Sequence, residues 1–307
     1  MVPDTVRHKA LAGGDACRRW LADLGELIAE LEQQWDLRGG ATFDGGTASF
    51  VAEAVTADGT AAVIKLAMPA EMDGRVALEN EVRTLLVADG RACVRVLNHD
   101  AEKGAVLLER LGRQLIELGL PVFEQMRIIC SLLRVLWAVP CQAPLPSLDR
   151  KGRWLAEIIA STWEELGRPC STQVVERAVS YAERRSSEFD PHKGVLVHGD
   201  AHSWNTLEDM TAASPGAFKL VDPDGLLAEP EYDLAILMRE FTDELLAGDA
   251  LKVGQDRARF LARLTGLDEQ RIWEWGFVER VSNGLLCIKD GLGRDCLSVA
   301  ELWSAAP

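Results

Sequence analysis

Apolar and polar positions follow two different rhythms along this chain, and the change between them divides it. Residues 15–35 (DACRRWLADLGELIAELEQQW) place Trp20, Leu21, Leu24, Leu27, Ile28, Leu31 and Trp35 at helical spacing with charges between them, which predicts an amphipathic helix. From about 42 to 110 the rhythm shortens. SFVAEAVTADGTAAVIKLAMP (49–69) alternates and then runs apolar around an Asp58-Gly59 turn, the pattern of a β-hairpin. VALENEVRTLLVADG (76–90) predicts a helix with Val76, Val82, Leu85 and Leu86 as its stripe and Gly90 as its stop. VRVLNHDAEKGAVLLERL (94–111) predicts a second hairpin that turns between Asp100 and Gly104.

After Gly112 the helical rhythm dominates. Residues 123–139, 153–166, 173–189 and 231–248 each read as one amphipathic helix, separated by Pro or Gly. Two short apolar strands interrupt them, GVLVHGD (194–200) and FKLVDPDG (218–225). The expected fold class is therefore α+β: residues 1–110 form a small antiparallel sheet with one main helix and an N-terminal helix, and residues 111–307 form a larger, mostly helical part.

Composition changes little in this picture. Of 307 residues 48% are hydrophobic and 26% charged, which fits a globular chain. No apolar run approaches the roughly 18 residues needed to span a bilayer, and the first residues lack a signal-peptide core, so a cytoplasmic location is expected. Seven scattered cysteines without a CxxC pair predict neither a disulfide framework nor a zinc site. A net charge of −15 disfavours nucleic acid and anionic membranes as partners and favours cations.

The candidate chemistry is ordered along the chain. Lys65 stands inside an otherwise apolar strand, and Glu81 follows on the next helix, where the two could pair and aim an ammonium at a phosphate. Glu79 competes with Glu81 for that place. TFDGGTASFV (42–51) is a small-residue turn in which Gly45, Gly46, Thr47 and Ser49 could offer N–H and hydroxyl groups to phosphate oxygens. In HGDAHSWN (198–205) an aspartate at 200 precedes an asparagine at 205, and Asp222 follows on the next strand. Asp-x4-Asn then Asp is the order of a kinase catalytic loop and its metal carboxylate, with hard oxygen ligands suited to Mg2+.

On VLVHGDAHSWN, LVDPDGLLAEPEYDLA (220–235), GAVLLERL (104–111) and ENEVRTLLVADG after VIKL, the sequence resembles the aminoglycoside phosphotransferases, and within them the aminoglycoside/hydroxyurea antibiotic resistance kinases. The resemblance implies a protein-kinase-like two-lobe fold that uses ATP and Mg2+. It implies Asp200 as catalytic base, His202 near the γ-phosphate, and Asn205 and Asp222 as metal ligands. Lys65 with Glu81 would bind phosphate, residues Glu109, Arg110 and Leu111 would form the hinge against adenine, His198 would brace the catalytic loop and Asp233 would tie it to the next helix.

Residues 229–249 hold seven carboxylates (Glu229, Glu231, Asp233, Glu240, Asp243, Glu244, Asp249) against one arginine, Arg239. Part of that run is a solvated helix face. Glu240, Asp243 and Glu244 are candidates to receive the cationic groups of an aminoglycoside acceptor, with Trp275 as an apolar or cation–π wall. Trp204 reads as a core anchor. The expected enzyme is a monomer or homodimer acting on a small cationic molecule; a hydroxyurea or amino-alcohol kinase, and a nucleotide-binding pseudokinase, are the alternatives.

Overall fold

The computed structural model describes residues 2–43, 49–69, 74–212 and 216–305. In chain order the elements are α1 (Asp4–Ala12), α2 (Gly14–Trp35), β1 (Leu37–Thr42), β2 (Ser49–Thr56), β3 (Ala61–Ala67), α3 (Gly74–Ala88), β4 (Val96–Asp100) and β5 (Ala105–Glu109). They continue with α4 (Val122–Trp137), α5 (Leu148–Glu165), α6 (Thr172–Glu188), β6 (Val195–Val197), β7 (Thr206–Glu208), β8 (Phe218–Leu220) and β9 (Leu226–Ala228). The last are α7 (Glu231–Arg239), α8 (Thr242–Leu246), α9 (Ala250–Thr265), α10 (Glu269–Lys289) and α11 (Asp295–Trp303). Among the described residues no helix is long and apolar enough to cross a membrane.

Contacts divide the chain into two compact units, one of Met1–Arg113 with Leu207–Asp224, the other of Gln114–Thr206 with Gly225–Pro307. The first unit is built on a five-stranded sheet of order β1-β2-β3-β5-β4, antiparallel throughout. Alternation in β2 and β3 sends Ala52, Ala54, Ala62, Ile64 and Leu66 to one face, where Trp20, Leu24 and Leu31 of α2 join them in a single apolar core. Small alanines on the strands make room for the large side chains of the helix. Leu207–Asp224 belongs here because β8 continues into hydrogen bonds with the chain after α3: Val94 N–H donates to Leu220 and Leu220 N–H to Ala92.

One expectation needs correction in this unit, and two elements are additional to those expected. β1, an exposed edge strand with Gly39 and Gly40, was not foreseen, and neither was α1. On α3 the buried apolar positions are Leu78, Val82, Leu85 and Ala88, whereas Val76 and Leu86 face solvent. The stripe is rotated because Glu81 occupies the buried face with them.

In the second unit α10 is the central element, packed against α5, α6, α7, α9 and α11. Its residues from Ile272 to Val281 are all buried, so it has no polar face to set its period in the sequence. The expected single helix over 231–248 is two. α7 ends at Arg239, the chain turns through Phe241 in the left-handed region (φ 57°, ψ 47°), and α8 starts at Thr242. A bulky residue held in that conformation stores strain that the surroundings must hold in place.

Candidate active site

In the first unit Lys65 points from β3 into a pair of carboxylates. Its Nζ lies 2.8 Å from Glu81 Oε2 and 2.6 Å from Asp222 Oδ1. Its place is fixed by register, between Val51 on β2 and Val106 on β5. Burial alone would lower the ammonium's pKa, but the Asp222 and Glu81 charges outweigh it and hold it above the usual lysine value. Burial pushes Glu81 up to about 7 against the pull of Lys65. Its second oxygen, Oε1, is buried with no hydrogen-bond partner among the described residues. Glu79, the competitor for this role, is exposed.

Asp222 adopts φ 57°, a left-handed conformation that Asp tolerates better than most residues, and its side chain is half exposed. Gly45, Gly46 and Thr47 lie outside the described residues. Ser49 is buried at the first position of β2, paired with Ala67. At the end of β5, the N–H groups of Glu109 and Arg110 already donate to Arg95 and Ala61 carbonyls. The Glu109 carboxylate is occupied by Lys219, the Arg110 guanidinium lies 4.6 Å from the Phe43 ring centroid, and Leu111 is buried.

In the second unit the loop after β6 wraps around Asp200. Gly199 sits at φ 85°, open to glycine at little strain, and lets the chain turn sharply out of the strand. The wholly buried Asp233 collects the N–H of His198 at 3.1 Å, that of Gly199 at 2.7 Å and Trp137 Nε1 at 2.8 Å. His198, also fully buried, accepts the Asp200 N–H on Nδ1 at 3.2 Å. Asn205 Nδ2 donates to the Asp200 carbonyl at 3.1 Å and to its Oδ2 at 3.2 Å. His202 Nε2 lies 3.3 Å from the same oxygen.

A residue that the sequence reading left without a role completes this cluster. Arg239 Nη2 donates to Asp200 Oδ1 at 2.8 Å. Its separation of 39 positions from Asp200 follows no motif, and only its isolation among seven carboxylates hinted at it. Burial would raise the Asp200 carboxyl, but the His202 hydrogen bond and the Arg239 charge hold it well below the usual carboxylate range.

Beside Arg239 opens a cavity of about 460 Å³, lined by Val122, Arg239, Glu240, Phe241, Thr242, Asp243, Glu244, Asn283 and Cys296. The three acidic acceptor candidates are therefore together. Two of them already have guanidinium partners: Glu240 is 3.2 Å from Arg239 Nε, and Glu244 is 2.5 Å from Arg257 Nη2. Trp275 is not with them. It is 0% exposed, donates to Glu229 and packs edge-on against Tyr232, so it belongs to the core and cannot wall a pocket. Glu229, Glu231 and Asp233 are buried too, which removes three of the seven carboxylates from any ligand face. Trp204, expected in the core, is 54% exposed.

Among the described residues no three His, Cys, Asp or Glu side chains form a ready-made metal site. The donor chemistry nevertheless suits Mg2+, which keeps water and phosphate ligands and takes few from protein. Asp222 offers a half-exposed carboxylate, and Asn205, with Nδ2 engaged at Asp200, retains Oδ1 as a hard oxygen donor.

The pattern of the aminoglycoside/hydroxyurea antibiotic resistance kinases matches residues 34–291. Streptomycin 6-kinase from Streptomyces griseus is 31% identical over 95% of this chain and 92% of its own length. Hydroxyurea phosphotransferase from Kitasatospora aureofaciens is 29% identical over 91% of this chain and 77% of its own. The streptomycin–ATP–APH(2″)-IIa ternary complex superposes with a TM-score of 0.57 at 13% identity, covering 91% of this chain and 97% of that one. The chain has the protein-kinase-like fold, is a phosphotransferase, and belongs to the aminoglycoside/hydroxyurea antibiotic resistance kinase family.

Proposed function

We propose that the chain transfers the γ-phosphoryl group of ATP to a hydroxyl of a cationic small molecule, an aminoglycoside of the streptomycin type, with Asp200 as the base. One observation carries this reading: Arg239 both lines the acidic cavity and bonds Asp200, so a single side chain joins that carboxylate to the cavity that would take the acceptor. Glu240, Asp243 and Glu244 supply the negative lining that guanidinium or ammonium groups would meet in charge-assisted hydrogen bonds. The likeness to streptomycin 6-kinase supports the same acceptor class.

Phosphoryl transfer demands positioning and charge stabilisation more than covalent chemistry. Asp200 receives the hydroxyl proton as that oxygen bonds to the γ-phosphorus and the bond to the bridging oxygen breaks, leaving ADP. Asn205 and His202 hold Oδ2 of the base, while His198 and Asp233 fix the backbone beneath it. Lys65, aimed by Glu81, donates to phosphate oxygens. Asn205 in the second unit and Asp222 in the first are the residues that would offer oxygen ligands to Mg2+, which would supply charge neutralisation at the phosphates when bound. The first unit takes the nucleotide, with residues 109–111 as the segment that would meet adenine, and the second takes the acceptor.

The likeness to hydroxyurea phosphotransferase favours a second reading, a small neutral acceptor. One experiment separates them: mass spectrometry of an aminoglycoside panel plus hydroxyurea after incubation with the protein and Mg-ATP. Phosphate added to streptomycin alone supports the first reading, and to hydroxyurea alone the second. Phosphate on neither, with no ATP turnover, overturns both. If the triple change Glu240→Ala, Asp243→Ala and Glu244→Ala leaves the acceptor KM unchanged, the cavity is not the acceptor site.

A further inference from the structure

A carboxylate has about four lone-pair directions for hydrogen bonds. Among the described residues three of them are filled at Asp200. Oδ2 takes Asn205 Nδ2 at 3.2 Å and faces His202 Nε2 at 3.3 Å, and Oδ1 takes Arg239 Nη2 at 2.8 Å. One direction remains, on Oδ1, beside the arginine that lines the cavity.

The arginine is held at both ends. Its Nη1 lies 3.3 Å from Glu279 and its Nε 3.2 Å from Glu240. Glu279 is buried on α10 and accepts the Tyr232 hydroxyl at 2.8 Å. The backbone that carries Arg239 is fixed from two further helices. Arg280, wholly buried on α10, donates to the carbonyls of Met238, Arg239 and Glu240. Arg257, wholly buried on α9, donates to those of Leu237 and Glu240. The last turn of α7 thus ends in two buried cations, placed where a helix C-terminus favours positive charge.

A residue needed only to pair Glu279 would be satisfied by that contact. Arg239 instead spreads three edges of one planar group over three carboxylates, which a lysine's single ammonium cannot reproduce. We infer that Arg239 is a positioning residue: its fork fixes the plane of the Asp200 carboxylate and leaves one direction on Oδ1, the oxygen that Arg239 itself holds, for the acceptor hydroxyl. The inference rests on the reading of Asp200 as base and adds to it the orientation on which that base depends.

The test is steady-state kinetics on the full chain with Mg-ATP and streptomycin, or hydroxyurea if only that compound is phosphorylated. Arg239→Ala, Arg239→Lys, Glu279→Gln and Asp200→Asn are compared. Arg239→Ala is expected to lower kcat by roughly a hundredfold while both KM values stay within about threefold. Guanidinium chloride on the order of 50 mM should return about tenfold of the lost kcat to Arg239→Ala and nothing to Asp200→Asn, because the planar fork is what was removed. Arg239→Lys should stay at least about tenfold below the native chain, since charge without the fork does not suffice. Glu279→Gln keeps the guanidinium but loosens its anchor, and should lower kcat about fivefold at unchanged KM, which keeps the inference testable should Arg239→Ala fail to fold.

Native kcat in Arg239→Lys, a loss confined to the acceptor KM, or native kcat in Glu279→Gln overturns the positioning role. Turnover by Asp200→Asn overturns the base assignment itself, a result distinct from native turnover by Arg239→Ala with Asp200→Asn inactive.

Discussion

Asp233 accepts the backbone N–H of Gly199 at 2.7 Å across 34 positions of chain. The same carboxylate serves the His198 N–H and the Trp137 indole, so three donors converge on one buried anion beneath the loop that carries Asp200. Asp233→Asn turns one acceptor oxygen into a donor facing a donor. Urea denaturation should show a loss of about 3 kcal/mol, in the range for breaking charged buried hydrogen bonds. kcat should fall in parallel, because the turn at Gly199 is no longer held.

Lys65 bridges Glu81 and Asp222, and the two carboxylates stay behind when it is removed. Lys65→Met should reduce kcat/KM for ATP by roughly a hundredfold or more, equal to about 2.7 kcal/mol of transition-state stabilisation. Glu81→Gln should cost less, since Asp222 still holds the ammonium. Initial rates against ATP concentration measure both, and equal losses in the two variants would speak against Glu81 as a mere aiming group.

A Cβ built on Gly276 in α10 comes 2.5 Å from the Met238 Cβ in α7, one residue before Arg239. Gly276→Ala must push the two helices apart. Thermal or urea unfolding should show a loss of about 1–3 kcal/mol, as overpacking does, and kcat should drop with it because Arg239 shifts. Gly25 in α2 is the opposite case, with nothing within 4 Å of its Cβ position. Gly25→Ala should stabilise by about 0.5–1 kcal/mol and leave kinetics unchanged.

Trp204 sits between Ser203 and Asn205 in the loop that carries Asp200 yet is exposed. Trp204→Ala should therefore change unfolding free energy by no more than about 0.5 kcal/mol. A loss of several kcal/mol on urea titration would return the indole to the core.

What could be read from the sequence was whatever is local. Lys65 betrayed itself as one charge in an apolar strand, and Asp200, Asn205 and Asp222 by strand endings and a fixed spacing. Glu81 was separable from Glu79 only by helix phase, which depends on knowing that Leu78, Val82 and Leu85 define the buried side. The contact of Arg239 with Asp200 was hidden for a different reason. Its partners Asp200 and Glu279 lie 39 and 40 positions away in opposite directions, so no window of sequence contains the contact. The break at Phe241 was hidden because left-handed turns are read from Gly or Asn, and here a phenylalanine holds that conformation. Trp275 misled in the other direction: aromatic residues near an acidic run suggest a cation pocket, but α10 is buried around its whole circumference through this stretch.

The segment Leu207–Asp224 has a consequence for anyone who cuts or recombines this chain. It belongs with Met1–Arg113 although 93 residues of the other unit intervene, from Gln114 to Thr206. A fragment ending at Arg113 loses β8 and leaves Ala92 and Val94 without their hydrogen-bond partners at Leu220. It also lacks Asp222, the second anion on Lys65. Exchanging the second unit with that of a relative therefore requires three junctions, at 113/114, 206/207 and 224/225, because the polypeptide passes from one unit to the other three times.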